Sequence, residues 1–359
     1  MNRYPFWNYV ALQIGLWLFS YAILAVLCHL TALTIHPDYY SHLSLKASLV
    51  IALFMGVFKG LATGIANQLF EKNFFHNRAM WILFLLKVIF QLVIFVVLIC
   101  IVRYSMYPYL TQQLFVGSKP AEFEAQWHAF IVVLLVYNLF SGLVISFINL
   151  VHNKFGPGIM LPLLLGKYRS PKEEGRIFLF MDLKSSTTLA EKLGHIKYSA
   201  FIRDAFMDIN ALLPEYNAHV YQYVGDEIVL TWKIKEGLND MTCVRFFFAC
   251  QARFEARRPY YEKEYGLIPI FKAGLHMGMV TAVEVGNIKR DIAYHGDTLN
   301  TAARIQSVCN EYSKSFLLSA EMLMHLDMEA HYHIEDLGSI LLKGKTVPTG
   351  ISSVRSRAT

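Results

Sequence analysis

The sequence predicts two structural classes in series: an all-α domain of four transmembrane helices, then an α+β domain of ferredoxin-like βαββαβ order. Three observations carry this. Four long apolar stretches fill residues 1–151, and most charged residues fall after residue 150. From Arg176 onward, short apolar runs alternate with segments whose apolar residues recur at three- and four-residue steps, as strands alternating with amphipathic helices require. The whole chain is 55% hydrophobic and only 17% charged, which excludes one soluble domain as its sole content.

The apolar stretches lie near Tyr9–Leu33, Leu45–Phe70, Trp81–Arg103 and His128–Val151. Each reaches the roughly 20 residues that a bilayer crossing needs. With four spans, Arg3, the Lys72/Arg78 pair and the cluster Lys154, Lys167, Arg169 and Lys172 fall on one side. Asp38, Glu122 and Glu124, with Lys119, fall on the other. The positive-inside rule then places both termini in the cytoplasm, beneath the plasma membrane. The net charge of +6 has no dense Lys/Arg stripe behind it, so it argues for membrane flanks and against nucleic-acid binding. Gly56, Gly60 and Gly64 share one face of the second span. They fit close helix approach, either inside the bundle or between two chains. Lys59 in the same span is a functional candidate by position, and Lys87 in the third fits a snorkelling residue. The five cysteines are scattered without a CxxC, so neither a disulfide framework nor a zinc site is indicated.

Residues 152–175 read as a juxtamembrane linker, broken by Gly156-Pro157-Gly158 and by Ser170-Pro171. The α+β domain follows over 176–356. Ile177–Met181 is a fully apolar run, hence a strand buried on both faces. A helix is expected from Ser186 to about Leu213, then a hairpin of His219–Val224 and Glu227–Trp232 around Gly225-Asp226. Next come a helix near Asp240–Glu262, a strand at Ile268–His276, and a strand or loop through Val280–Tyr294. A helix at Thr298–Asn310 and short strands near Ser315–Ser319, His333–Lys343 and Gly350–Val354 complete the domain. The βαββαβ order implies a sheet with its helices on one face.

Four constellations can carry chemistry. Asp182 ends the first strand, and Ser185–Thr188 open a helix whose free N–H groups can hold an anion. Taken alone, this is a strand with an N-capped helix. Asp226 projects from the hairpin tip, where Gly-Asp alone is turn chemistry. Together, two carboxylates at the ends of adjacent elements, with no obvious basic partner, form a minimal cage for a pair of Mg²⁺ ions and phosphate oxygens. In Gly274-Leu275-His276-Met277-Gly278 the glycines fit close backbone approach and His276 fits a satisfied core histidine. Lys272, just before, is a candidate phosphate contact. Asn300 and Arg304 stand one helical turn apart and share a face, an amide beside a guanidinium. Gly344-Lys345-Thr346 does not complete a P-loop, because no glycine stands at the required upstream spacing and no helix follows.

MDLKSST, YVGDE, GLHMG, GDTLNTAAR and LLKGK, in this order over about Arg176–Val354, resemble the catalytic domain of class III nucleotidyl (adenylate and guanylate) cyclases. The membrane half resembles only the multi-span anchors that some such cyclases carry. The resemblance implies conversion of a nucleoside triphosphate, ATP in the first place, to a 3′,5′-cyclic nucleotide and pyrophosphate. It implies two divalent cations (Mg²⁺ or Mn²⁺) held by Asp182, Asp226 and the Leu183 carbonyl. Asn300 would orient the ribose and Arg304 would stabilise the transition state. Lys272, Lys343 and the Ser186/Thr187 backbone would hold phosphates. It also implies a homodimer whose two sites each take the aspartates from one chain and the Asn/Arg pair from the other. The positions that select the base hold Gln222 and Ala293, which match neither the adenylate nor the guanylate pattern of the family. Hence a second reading stands: a membrane receptor or scaffold with a catalytically silent nucleotide-binding domain. A diguanylate cyclase is disfavoured, since the hairpin reads Val224-Gly225-Asp226-Glu227-Ile228 and not its Gly-Gly-(Asp/Glu)-Glu-Phe signature.

Overall fold

A computed structural model describes residues 4–35, 45–73, 80–105, 120–155, 165–288, 290–328, 330–343 and 345–357. The chain divides into two compact units, Met1–Pro157 and Gly158–Thr359. The Gly156–Gly158 break, Arg3, Asp38, Arg78 and Lys119 lie outside the described residues.

The first unit consists of α1 (Tyr4–Ile35), α2 (Leu45–Asn73), α3 (Met80–Ser105) and α4 (Pro120–Phe155). Within them, Tyr9–Thr31, Ser48–Asn67, Leu85–Ser105 and Phe130–Leu150 are long and apolar enough to cross a membrane. The outward faces carry large apolar side chains such as Phe19, Val136, Phe140 and Phe147, as a lipid-facing surface requires. The four apolar helices indicate a multi-pass membrane protein.

The glycine face of α2 packs inside the unit, against α1. A Cβ on Gly60 would lie 2.4 Å from the Ile14 Cα, and one on Gly56 would lie 2.7 Å from the Leu18 Cα. Between these helices the backbones themselves touch, which only glycine permits. Lys59, one residue away, is fully buried. Its Nζ donates to Asn138 Oδ1 and lies 3.7 Å from the centroid of the Trp17 ring, a cation–π arrangement. Tyr21 Oη donates to the same Asn138 oxygen, and Gln13 bonds Asn149 at 2.7 Å.

The second unit is a mixed sheet with strand order β2-β3-β1-β4-β6-β8-β7, and β5 pairs with β4 off this path. The strands are β1 (Lys172–Leu183), β2 (His219–Val224), β3 (Glu227–Lys233), β4 (Phe271–Val285), β5 (Asp291–His295), β6 (Phe316–Ser319), β7 (Tyr332–Ile340) and β8 (Thr349–Ser356). The stretch β2-β3-β1-β4 is the ferredoxin-like half, all antiparallel. β1 starts earlier than its apolar run and enters the stretch read as linker.

Side chains of β1 alternate between two layers. Ile177, Leu179, Met181 and Leu183 enter a core with Phe201, Phe246, Phe247 and Phe254. These come from α6 (His195–Asn210) and α7 (Thr242–Ala256). Phe178 and Phe180 point the other way, to Val229, Val280 and Ala302. Ala302 belongs to α9 (Asp297–Ser307), so this helix covers the face opposite to α6 and α7. The expectation that all helices share one face is thereby corrected. Gly274 and Gly278 of β4 make the difference: a Cβ on Gly274 would lie 2.3 Å from the Gln306 nitrogen, and one on Gly278 would lie 2.6 Å from Thr298 Oγ1. The close approach expected of these glycines is to a helix backbone.

Two expected helices are each divided. Gly194, at φ 73°, separates α5 (Ser186–Leu193) from α6. Pro259, lacking an N–H, sits in the first turn of α8 (Arg258–Tyr265), which breaks from α7 at Arg257. The break lets α8 turn tyrosines back onto α6. Tyr260 and Tyr265 donate to Asp204, and Tyr261 and Arg257 donate to Asp208, so both buried carboxylates are satisfied.

The α1–α2 packing gives a direct prediction. Gly60→Ala is expected to destabilise the detergent-solubilised protein by about 1–3 kcal/mol, because the added methyl has no room. Gly15→Ala, where a Cβ meets nothing within 4 Å, is the control and should be neutral or stabilising. Thermal unfolding of the two variants in one detergent checks this.

Candidate active site

β1 delivers Asp182 on the α9 face, one residue before the strand ends. In register, Asp182 lies between Glu227 of β3 and Lys272 of β4. Its Oδ2 is 3.0 Å from Lys272 Nζ and accepts from Gln306 Nε2 at 3.1 Å. The expectation of a carboxylate pair without a basic partner is therefore corrected. Lys272 faces the same side because both residues lie on one pleat of paired strands. As a consequence, the lysine expected to contact phosphate is engaged with Asp182.

The hairpin sets Asp226 beside this group. Gly225 takes φ 61°, which closes a two-residue turn between Val224 and Glu227. Asp226 Oδ2 is buried and has no hydrogen-bond partner among the described residues. Such an atom is costly unless something positive or protic meets it. Glu227 reports the density of negative charge here. Burial, and then Asp182 and Asp226, push its carboxyl up to about 7, against a smaller opposing effect of Lys272. The charges of Asp182 and Asp226 thus act on Glu227 at one strand end, and Lys272 pairs with Asp182.

At the end of β1, Ser185 adopts a left-handed conformation (φ 59°) and α5 starts at Ser186 without a side-chain cap. Its first amides are left to other partners, as an anion site requires. Ser186 is half-buried and bonds Tyr198; Thr187 is exposed. Burial and then the Asp226 charge push the Tyr198 phenol up. Leu183 is buried in the core, so only its backbone is available to the site.

The remaining candidates lie elsewhere. Asn300 is exposed and Arg304 half-buried on α9, while Thr301, Ala302, Ile305 and Gln306 form its buried side. Among the described residues, no hydrogen bond or ion pair joins Asn300 or Arg304 to Asp182 or Asp226. Lys343 is exposed. Its neighbour Lys345 pairs with Asp297 in the first turn of α9 at 2.7 Å and holds that carboxyl below the usual range. Gln222 is exposed on β2, and Ala293 is half-buried on β5. Their neighbours Tyr221 and Tyr294 meet edge to face at 5.1 Å, which brings the two strands together. Sequence reasoning missed Gln306. The signal available to it was the small residue at Gly274, which marks where a helix comes close enough for its side chains to reach the next strand.

Residues 170–352 match the family model of the adenylate and guanylate cyclase catalytic domain. The chain is 36% identical over 211 residues to adenylate cyclase 2 of Rhizobium meliloti (strain 1021), covering 59% of this chain and 58% of that protein. It is 25% identical over 183 residues to an adenylate cyclase of Anabaena cylindrica, covering 50% of this chain and 36% of that one. A solved bacterial light-regulated adenylyl cyclase aligns with a TM-score of 0.51 at 18% identity, over 62% of this chain and 65% of that structure. That likeness concerns the fold. The chain spans little more than half the length of the first of these relatives.

His276, between the two close-approach glycines, gives a pH prediction. It is buried, with Nδ1 2.8 Å from Ser319 Oγ, as a satisfied core histidine. Burial first, and then Lys345, lower its pKa from 6.5 to about 4. Between these values the unfolded chain binds a proton that the native protein refuses, so stability falls as pH drops from 6.5 to 4. His276→Gln is expected to flatten this slope in denaturant titrations at pH 4.5 and 7.

Proposed function

Because the chain belongs to the adenylate and guanylate cyclase catalytic-domain family, we propose that it is a membrane-anchored cyclase making a 3′,5′-cyclic nucleotide and pyrophosphate from a nucleoside triphosphate. ATP is the favoured substrate, in keeping with the adenylate cyclase that matches at 36% identity. Residues 1–151 would be the anchor, 152–175 the linker and 176–356 the catalytic domain. Both termini and the catalytic domain would lie in the cytoplasm at the plasma membrane, on the Lys/Arg asymmetry of the flanks.

The observation that carries the reading is the carboxylate cluster with an orphaned oxygen. Asp226 Oδ2 is buried without a partner, and Glu227 is pushed toward neutrality beside it. A hard cation with oxygen preference fits this donor set. Asp182, Asp226 and the Leu183 backbone would hold two divalent cations, Mg²⁺ or Mn²⁺, which when bound supply Lewis acidity toward the ribose 3′-hydroxyl and the triphosphate.

The chain's own groups would position and neutralise. The uncapped amides of Ser186 and Thr187 suit phosphate oxygens at the start of α5. Lys272, which pairs with Asp182, has three donors and would share them with a phosphate, and Lys343 would be a further phosphate contact. Asn300 would orient the ribose, and Arg304 would meet the charge that develops as the 3′-oxygen attacks the α-phosphorus, its proton leaves to solvent and pyrophosphate departs. Gln222 can donate and accept toward the base, whereas the Ala293 side chain offers only shape. Asn300 and Arg304 lie on the outer side of α9, and among the described residues no hydrogen bond or ion pair joins them to the aspartates of their own chain. This supports a homodimer in which each site combines Asp182 and Asp226 of one chain with Asn300 and Arg304 of the other.

The test is complementation in the full-length protein. Asp226→Ala and Arg304→Ala are each expected to lose cyclic-nucleotide formation by about 100-fold or more. Mixing equal amounts under subunit exchange should restore about a quarter of wild-type activity, since half the dimers are mixed and each holds one intact site. No recovery with mixed dimers confirmed refutes the shared site. A panel of triphosphates with Mg²⁺ or Mn²⁺ that yields nucleotide binding but no cyclic product would favour the silent-receptor reading.

A further inference from the structure

Gln306 belongs to no motif, yet it is the only α9 side chain that hydrogen-bonds Asp182 among the described residues. It is 6% exposed on the buried side of the helix. The absence of a side chain at Gly274 lets α9 settle so close that the Gln306 backbone nitrogen would lie 2.3 Å from a Cβ there. From this position its side chain reaches past β4 to β1. The carboxylate can only accept, so the amide nitrogen must be the donor, at 3.1 Å from Oδ2. Lys272 holds the same oxygen from β4 at 3.0 Å. Oδ2 is thus fixed by two donors from two elements, and Oδ1 is the oxygen left to a ligand.

The two donors differ in kind. Lys272 brings a charge that competes with a cation for Asp182. Gln306 orients the carboxylate without adding charge, so it sets direction at no electrostatic cost to the cation. Outer partners of this sort hold a metal ligand in its productive rotamer. We propose that Gln306 is a positioning residue for divalent-cation binding: it locks Asp182 with Oδ1 presented. It also links that carboxylate to the helix that carries Asn300 and Arg304. This rests on the reading of Asp182 and Asp226 as the cation-binding pair.

The experiment is Mn²⁺ binding to the metal-free full-length protein in detergent, without nucleotide, followed by the electron paramagnetic resonance signal of free Mn²⁺. Gln306→Leu keeps the volume and removes the donor. It is expected to weaken Mn²⁺ binding by about 10-fold or more, with unfolding of the metal-free protein unchanged within about 2 °C. Gln306→Asn keeps the amide but is one methylene too short, and should weaken binding similarly; it replaces the leucine variant should that fail to fold. Asp226→Ala is the control for the pair itself. Loss of Mn²⁺ binding in Asp226→Ala together with wild-type binding in both Gln306 variants overturns the role of Gln306 alone. Intact binding in Asp226→Ala overturns the cation-pair reading and this inference with it. Weakened binding that only tracks a fall in thermal stability shows a structural role and also overturns the proposal.

Discussion

The catalytic unit depends on one steric fact: at Gly274 there is no room for a single methyl group between β4 and α9. Side chains normally keep a helix and the sheet beneath it apart. Here the spacer is missing, and the helix drops onto the strand. Two consequences follow from that one approach. The outward side of α9 holds Asn300 and Arg304, while its inward side brings Gln306 to Asp182. A larger residue at Gly274 would lift the helix and disturb both sides together.

The electrostatics of the site rest on an imbalance. Asp182 and Glu227 are register partners, the charges of Asp182 and Asp226 act on Glu227, and Lys272 pairs with Asp182. Asp182 is satisfied by Lys272 and Gln306, whereas Asp226 Oδ2 has no partner among the described residues. Burial makes that costly, since an unpaired buried oxygen forfeits its hydration. The raised carboxyl of Glu227 is the same cost expressed as proton affinity. A divalent cation would relieve it, and so would a proton. Away from this strand end the unit is well satisfied: Phe201, Phe246, Phe247 and Phe254 pack in the core, and the buried Asp204 and Asp208 accept from the α8 tyrosines.

What the sequence showed of the site follows the range of the interactions involved. Asp182 and Asp226 were legible because local chemistry places them: an apolar run ending in an acid, and a Gly-Asp turn between alternating strands. The pairing of Asp182 with Lys272 depends on the register of β1 against β4, strands separated by about ninety residues of chain, and no local pattern encodes it. Gln306 depends on a helix lying across the opposite face, which the βαββαβ order does not announce. The helix breaks failed for a different reason. Apolar periodicity continues through Gly194 and Arg257, and the breaks lie in single residues, Gly194 with positive φ and Pro259 without an N–H. Periodicity reports which side is buried, but it is silent on where the chain changes direction.

The membrane unit shows the same dependence on close approach, now with a polar cargo. Gly56 and Gly60 let α1 and α2 touch backbone to backbone, and Lys59 lies between them in sequence. A lysine in such a place needs compensation. It receives an amide oxygen from Asn138 and the face of Trp17, both neutral. Among the described residues, no counter-charge therefore faces Lys59 in these contacts. Tyr21 shares the Asn138 oxygen, so the amide is divided between two donors on different helices. Rearranging any one of these groups must therefore rearrange the others. This shared polar centre joins side chains of α1, α2 and α4, so the three helices meet through one hydrogen-bonded network.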